Sequence, residues 1–263
     1  MQSPPIDQAE IDARIGPHID ELLALWWTEQ GASKPNDLAL IASAIPFPPA
    51  QPIRVLDLCC GPGDVGRAIR ARYANATIDG IDRDPFLTAI CRAANRRERI
   101  PGTIVVRDLL DDDWLDAIRE NRDDETRSHA YDVVATVNAL HWFHAPRAQR
   151  IVAEVHRALR SGGLFFVAEP AAAAAPFAAG FERWKATLPP RYSHEHWQRL
   201  WSRANAILGY DHVALWGPRD DARIGDAMTV AGWTGMLARA GFEGVDVLYR
   251  DADQVVLGAQ KPA

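Results

Sequence analysis

Three stretches hold residues whose types and spacing could do chemistry. The first, LDLCCGPGDVG (Leu56 to Gly66), sets glycines at 61, 63 and 66 just after a short apolar run. An acid, Asp57, precedes them, and a second, Asp82, stands somewhat under twenty residues further on. Gly61 and Gly63 allow a tight turn and a close backbone approach to a ligand. Asp82, at the end of the next apolar run, could accept hydrogen bonds from ribose hydroxyls. Together these are parts of a site for an adenosine-containing cofactor. The second stretch, NALHWF (Asn138 to Phe143), places His141 beside Trp142 after another apolar run. Histidine can exchange a proton near neutral pH, so His141 is a candidate base or acceptor-positioning donor. Trp142 is a candidate pocket wall. The third, PPRYSHEHWQRLW, offers Tyr192, Trp197 and Trp201, with Trp216 beyond, and an aromatic lining suits a medium-sized, partly apolar small molecule.

Two cofactors compete for the first stretch. G-x-G-x-x-G followed by an acid is the dinucleotide fingerprint. A dinucleotide, however, brings pyrophosphate to the loop and the helix N-terminus, where donors are wanted and a carboxylate repels. S-adenosylmethionine has no phosphate and carries an ammonium and a sulfonium. Asp57 at the loop entrance suits that charge. Cys59 and Cys60, lying between strand and glycines, also fit a dinucleotide poorly.

Other features are quieter. Adjacent Cys59 and Cys60, with Cys91 distant, have neither zinc nor redox spacing. His194 and His196 would share a face on a strand, but no further ligand is evident, so no metal is expected. The formal net charge is −6, and the one basic cluster, Arg92 to Arg99, fits an exposed helix end; no nucleic-acid partner is expected. No apolar run is long enough to span a bilayer, and the first residues lack the pattern of a secretory signal, so the expected location is cytoplasmic.

The positioning elements alternate. Residues 1–50 read as helical, with HIDELLALWW amphipathic and Asn36 a possible cap for DLALIASAI; PFPPAQP then marks a boundary. IRVLDL, TIDGID, TIVVRD (Thr103 to Asp108), YDVVATV and LFFVAEP read as strands, separated by helices. The helix PRAQRIVAEVHRALR is expected to stop at Ser161-Gly162-Gly163, and NRDDETRSHA to be an exposed insertion. This rhythm predicts a doubly wound α/β sheet, mostly parallel, that binds ligands beyond the carboxyl ends of its strands. Residues 171–228 break the rhythm and read as an insertion forming a substrate lid, together with a helical cap over 1–50. A single domain is expected over 1–263. WTGMLARAGF reads as a last helix, and VDVLYR and QVVLGAQK as a closing hairpin.

VLDLCCGPG resembles the first motif of class I S-adenosylmethionine-dependent methyltransferases, a D/E-x-G-x-G-x-G pattern whose first glycine is here Cys59. GIDRDP, VVRDLL, YDVVATVNALHWF, HRALRSGGLFFVAEP and LARAGF with VVLGAQKP resemble its later motifs, in order. The resemblance implies a Rossmann-like, seven-stranded sheet with an antiparallel last strand. It implies cofactor contacts from Asp57, Gly61, Pro62 and Gly63, from Asp82 and Arg83, from Asp108 and Leu109 at the adenine, and from Asn138. The spelling after Asn138 lacks the N-P-P-Y of enzymes acting on DNA bases and looks like small-molecule methyltransferases, including some acting on carboxylic acids. The implied activity is methyl transfer to a small molecule, with S-adenosylhomocysteine as product. A different use of the same donor, a nicotinamide oxidoreductase and a silent binding module stay open, as do the acceptor and the oligomeric state.

Overall fold

The computed structural model describes residues 4–29, 35–122, 130–188, 194–216 and 223–263. Its elements run in the order helices α1 (Gln8–Ile15), α2 (Ile19–Glu29) and α3 (Pro35–Ala44), strand β1 (Arg54–Leu58), α4 (Asp64–Arg72), β2 (Thr77–Asp82), α5 (Pro85–Glu98) and β3 (Ile104–Val106). Then follow α6 (Trp114–Glu120), β4 (Tyr131–Val137), α7 (Ala145–Ala158), β5 (Leu159–Pro170), α8 (Ala178–Lys185), α9 (His194–Leu208), α10 (Val230–Arg239), β6 (Glu243–Asp251) and β7 (Gln254–Gln260).

The strands form one sheet in the order β3-β2-β1-β4-β5-β7-β6. β1 to β5 are parallel, while β7 runs antiparallel to β5 and pairs with β6 as a hairpin. Apolar runs such as RVLDL are buried because helices cover both faces of a parallel sheet. One face packs Leu56, Val134, Phe165 and Leu257 against α6, α7 and α10; the other packs Val55, Val133 and Phe166 against α3 and α4. A third apolar cluster joins Ile15, Leu22 and Trp26 of the N-terminal helices to Phe86 and Ile90 of α5 and to Leu200 and Trp201 of α9. Each such side chain removed from water contributes about 1.5–3 kcal/mol. This third cluster places α2 and α9 at the end of the sheet where the chemistry-bearing loops emerge.

Local chemistry sets the boundaries. Asp84 caps α5 by accepting from the amides of Phe86 and Leu87, with Pro85 in the first turn. Four expectations need correction. Ser161-Gly162-Gly163 does not stop α7: the helix ends at Ala158, and the chain enters β5 at Leu159, with the glycines in a register shift against β4. The amide of Gly162 is taken up by the carbonyl of Lys261, which is why a turn signal can sit inside a strand. β3 is shorter than expected, because Asp108 turns back to bond the amide of Leu110. Asn36 lies inside α3, not ahead of it. His194 and His196 open helix α9, where residues two apart do not share a face. Tyr192 and most of the NRDDETRSHA stretch fall outside the described residues.

Candidate active site

The ends of β1 to β5 converge around Cys59, whose thiol is held well above its usual range, first by burial and then by Asp82, Glu169 and Asp108. Three strands, β2, β3 and β5, therefore deliver their acids to one place at the end of β1. The loop after β1 is a succession of left-handed residues, Cys59 (φ 55), Gly61 (φ 49) and Gly63 (φ 85). Only glycine adopts that region without strain at successive positions. At Gly63 a Cβ would also lie 2.7 Å from the sulfur of Cys91.

Asp57 is buried, and its Oδ2 accepts from the amide of Gly66 at 3.0 Å. Burial, the largest cause, raises its pKa to about 8, with Asp64 and Asp82 adding to the rise. Asp57 thus sits behind the loop, largely protonated at neutral pH, and not at the loop mouth as a standing negative charge. Asp82 braces the loop from β2: its Oδ2 accepts from Gly61 N and its Oδ1 from Asp84 N, both at 2.9 Å. Its pKa rises to about 6, again mainly through burial. A carboxylate has about four acceptor positions, so Asp82 keeps capacity for two hydroxyls. Asp108 gives one oxygen to Leu110 N at 2.9 Å, and Arg83 lies 3.9 Å from the other. Leu109 is buried, its carbonyl held by the guanidinium of Arg147. Pro62 is pinned through its carbonyl by Arg67 at 2.5 Å.

Asn138 ends β4 in a left-handed conformation (φ 55), and its Oδ1 accepts from Gln254, which also bonds Asp37. Its side chain ties β4 to β7 and α3. His141 follows in a short 3-10 turn, Leu140–Trp142. Its Nδ1 lies 2.7 Å from Oε2 of Glu169, the last acid of β5. Glu169 is 0% exposed, and its other oxygen accepts from the amides of Ala139 and Leu140 at 2.8 and 2.7 Å. An ionised carboxylate only accepts, so with Glu169 ionised and the ring neutral this contact selects the tautomer with hydrogen on Nδ1 and a lone pair on Nε2. Trp142 lies tilted against His141, ring centres 5.2 Å apart, and is 45% exposed.

Several of these residues carried no signal in the sequence. Glu169 was one letter of a strand. Trp26 of α2 donates to Asp64 at 2.5 Å, and its ring lies 3.6 Å from where a Cβ of Gly61 would be. The N-terminal helices thereby roof the glycine loop. Trp197, Trp201 and Trp216 were expected to line a pocket. Instead they pack edge-on against one another, and Trp201 and Trp216 close over His212 and Asp84. Among the described residues, no group of three His, Cys, Asp or Glu side chains could hold a metal ion, and no helix is long and apolar enough to cross a membrane.

The donor set suits a cationic adenosyl ligand. Carboxyl groups at the ends of β2, β3 and β5 crowd this place and would repel pyrophosphate and welcome a sulfonium and an ammonium. The comparisons agree. Residues 55–163 match the family model described as a methyltransferase domain. An uncharacterized methyltransferase of Synechocystis is 31% identical over 112 residues, which cover 43% of this chain and 44% of that one. A trans-aconitate 2-methyltransferase of Methylobacterium nodulans is 44% identical over 55 residues, 21% of this chain and 19% of that protein. The matches thus span less than half the length of either relative. Human N-acetylserotonin methyltransferase, solved with S-adenosylmethionine, superposes with a TM-score of 0.53 at 16% identity, covering 94% of this chain and 56% of that one. That likeness is one of fold. Over residues 55–163 the chain matches a methyltransferase domain, set in the sheet order and glycine loop that the resemblance to class I S-adenosylmethionine-dependent methyltransferases implied.

Proposed function

We propose that the protein transfers a methyl group from S-adenosylmethionine to a small molecule whose attacking atom must first lose a proton, with His141 as the base. The observation that carries this reading is the bond from His141 to the buried Glu169, which fixes the ring and leaves Nε2 unpartnered among the described residues. A carboxylate acceptor would need no such base; a hydroxyl, an amine or a carbon acid does.

The cofactor, when bound, supplies a methyl group already activated for displacement. Asp82 would hold its ribose, Asp108 and Leu109 its adenine, and the Gly61–Gly63 turn, backed by Asp57, its amino-acid end. Asn138 shapes the turn after β4, and Arg83 steadies Asp108. His141 would accept the acceptor's proton at Nε2 as the new bond forms, and Glu169 would stabilise the resulting imidazolium. Trp142 would flank the acceptor. Residues 1–50 and 171–228 would cover the site and exclude water, the main service an enzyme offers an already activated donor.

The test is release of S-adenosylhomocysteine across a panel of phenols, amines and carbon acids, after titration shows that the protein binds that product. His141→Ala should lower kcat by about 10²–10⁴-fold while product affinity stays unchanged. Turnover at the wild-type rate would rule His141 out as the base.

A further inference from the structure

Arg223 lies at the end of the 171–228 segment, just before the short turn Gly225–Ala227. Its neighbour Ile224 donates its amide to the carbonyl of Phe143 at 2.9 Å, which fastens this stretch to the loop after β4. The Arg223 guanidinium carbon then sits 4.7 Å from the centre of the Trp142 ring. Trp142 therefore touches both a fixed positive charge and, at a tilt of 37°, the His141 ring, 5.2 Å away.

Nη1 of Arg223 is shut off from solvent and has no hydrogen-bond partner. Its guanidinium lies over the face of Trp142. The indole offers a cation some attraction but no acceptor in the guanidinium plane. A charged donor withdrawn from water without an acceptor is costly, more so than a neutral one. A bound anion would remove that cost. Arg223 thus carries a buried nitrogen without a hydrogen-bond partner and sits on the residue expected to flank the acceptor.

We infer that Arg223 is the anion handle of the acceptor subsite, and that the acceptor is a small molecule bearing a carboxylate besides the atom to be methylated. This rests on the methyltransferase reading above. The carboxylate would accept from the half-buried guanidinium of Arg223 while the second group reaches His141. A doubly charged phosphate fits less well, because Glu169, Asp82 and Asp108 crowd the same strand ends and repel it more strongly.

The test is calorimetric binding of benzoate, trans-cinnamate and citrate, each against its amide, to protein saturated with S-adenosylhomocysteine. At least one acid should bind about tenfold or more tighter than its amide, the order expected of one charge-assisted hydrogen bond. Arg223→Gln should erase that preference and leave amide binding unchanged, while Arg223→Lys, which keeps the charge, should retain part of it. A preference that survives in Arg223→Gln overturns the inference, and so does failure of all three acids to bind while S-adenosylhomocysteine binds. If S-adenosylhomocysteine itself fails to bind, the methyltransferase reading falls and this inference with it.

Discussion

Two histidine–carboxylate pairs stand at the same end of the sheet, and their surroundings assign them different work. His141 is bonded to Glu169 through Nδ1 and is 13% exposed, with its second nitrogen available. His212 is bonded through Nε2 to both oxygens of Asp84 at 2.9 Å, is 0% exposed, and has its Nδ1 buried with no partner. Asp84 also accepts from Trp216 Nε1 at 2.8 Å and from the first amides of α5. Trp201 stacks on His212, and Phe86 closes another side. The first pair has a ring nitrogen that a ligand can reach. The second has none and instead joins the 171–228 segment to the end of β2. A histidine–carboxylate bond alone does not mark a base; a base also needs an open ring nitrogen, which the first pair has and the second lacks.

The largest effect expected from breaking this contrast falls on the sealed pair. Asp84→Ala removes the partner of His212, the acceptor of Trp216 and the cap of α5 in one step. Breaking a buried pair from one side costs about 3–5 kcal/mol, because the other group stays behind unpaired. Urea unfolding should show that loss. A change below about 1 kcal/mol, the range of an exposed pair, would mean that the segment is fastened elsewhere.

The open pair should respond in rate and not in stability. In Glu169→Gln the side-chain carbonyl can still accept from the amides of Ala139 and Leu140, so the turn should hold. The amide cannot stabilise an imidazolium, and its NH2 would favour the tautomer with hydrogen on Nε2, the wrong one for a base. Loss of this positioning interaction should lower kcat by about 10–100-fold, equivalent to roughly 1.4–2.7 kcal/mol of barrier, with KM little changed. A purely structural Glu169 would instead show a lowered unfolding midpoint and unchanged kcat.

The two pairs also show what the sequence could and could not reveal. The glycine turn, the strand alternation, the closing hairpin and Asp82 were legible because each is a local pattern: apolar runs, left-handed turn residues, an acid at a strand end. Glu169 lies 28 residues from His141, Trp26 lies 38 from Asp64, and His212 lies 128 from Asp84. Such partners are set by which strand ends become neighbours, and no spacing rule encodes that. The aromatic residues of α9 misled for a related reason. Trp197 and Trp201 look alike as pocket walls and as packing, and only the placement of α9 against α2 and α5 makes them packing. The Ser-Gly-Gly stop failed because the carbonyl of Lys261, a hundred residues away, satisfies Gly162 inside the strand.

A third buried carboxyl sharpens the contrast by lacking a histidine altogether. Asp57 accepts from Gly66 N, and its pKa is raised to about 8 by burial. An unfolded aspartate titrates at about 3.9. Between these two values the folded chain holds a proton that the unfolded chain has released, so stability should fall as pH rises and level off above pH 8. Asp82, raised to about 6, contributes the same sign over the lower part of that range. Between pH 6 and pH 8 the slope therefore belongs mainly to Asp57, at up to about 1.4 kcal/mol per pH unit for one proton. Asp57→Asn can still accept from Gly66 N but has no proton to lose, so its urea-unfolding stability should be flatter across that interval. Bound S-adenosylmethionine should flatten the wild type too, because a sulfonium and an ammonium nearby favour the charged carboxylate. If the wild-type slope persists unchanged in Asp57→Asn, the titrating group lies elsewhere, and Asp57 is simply the acceptor that starts α4.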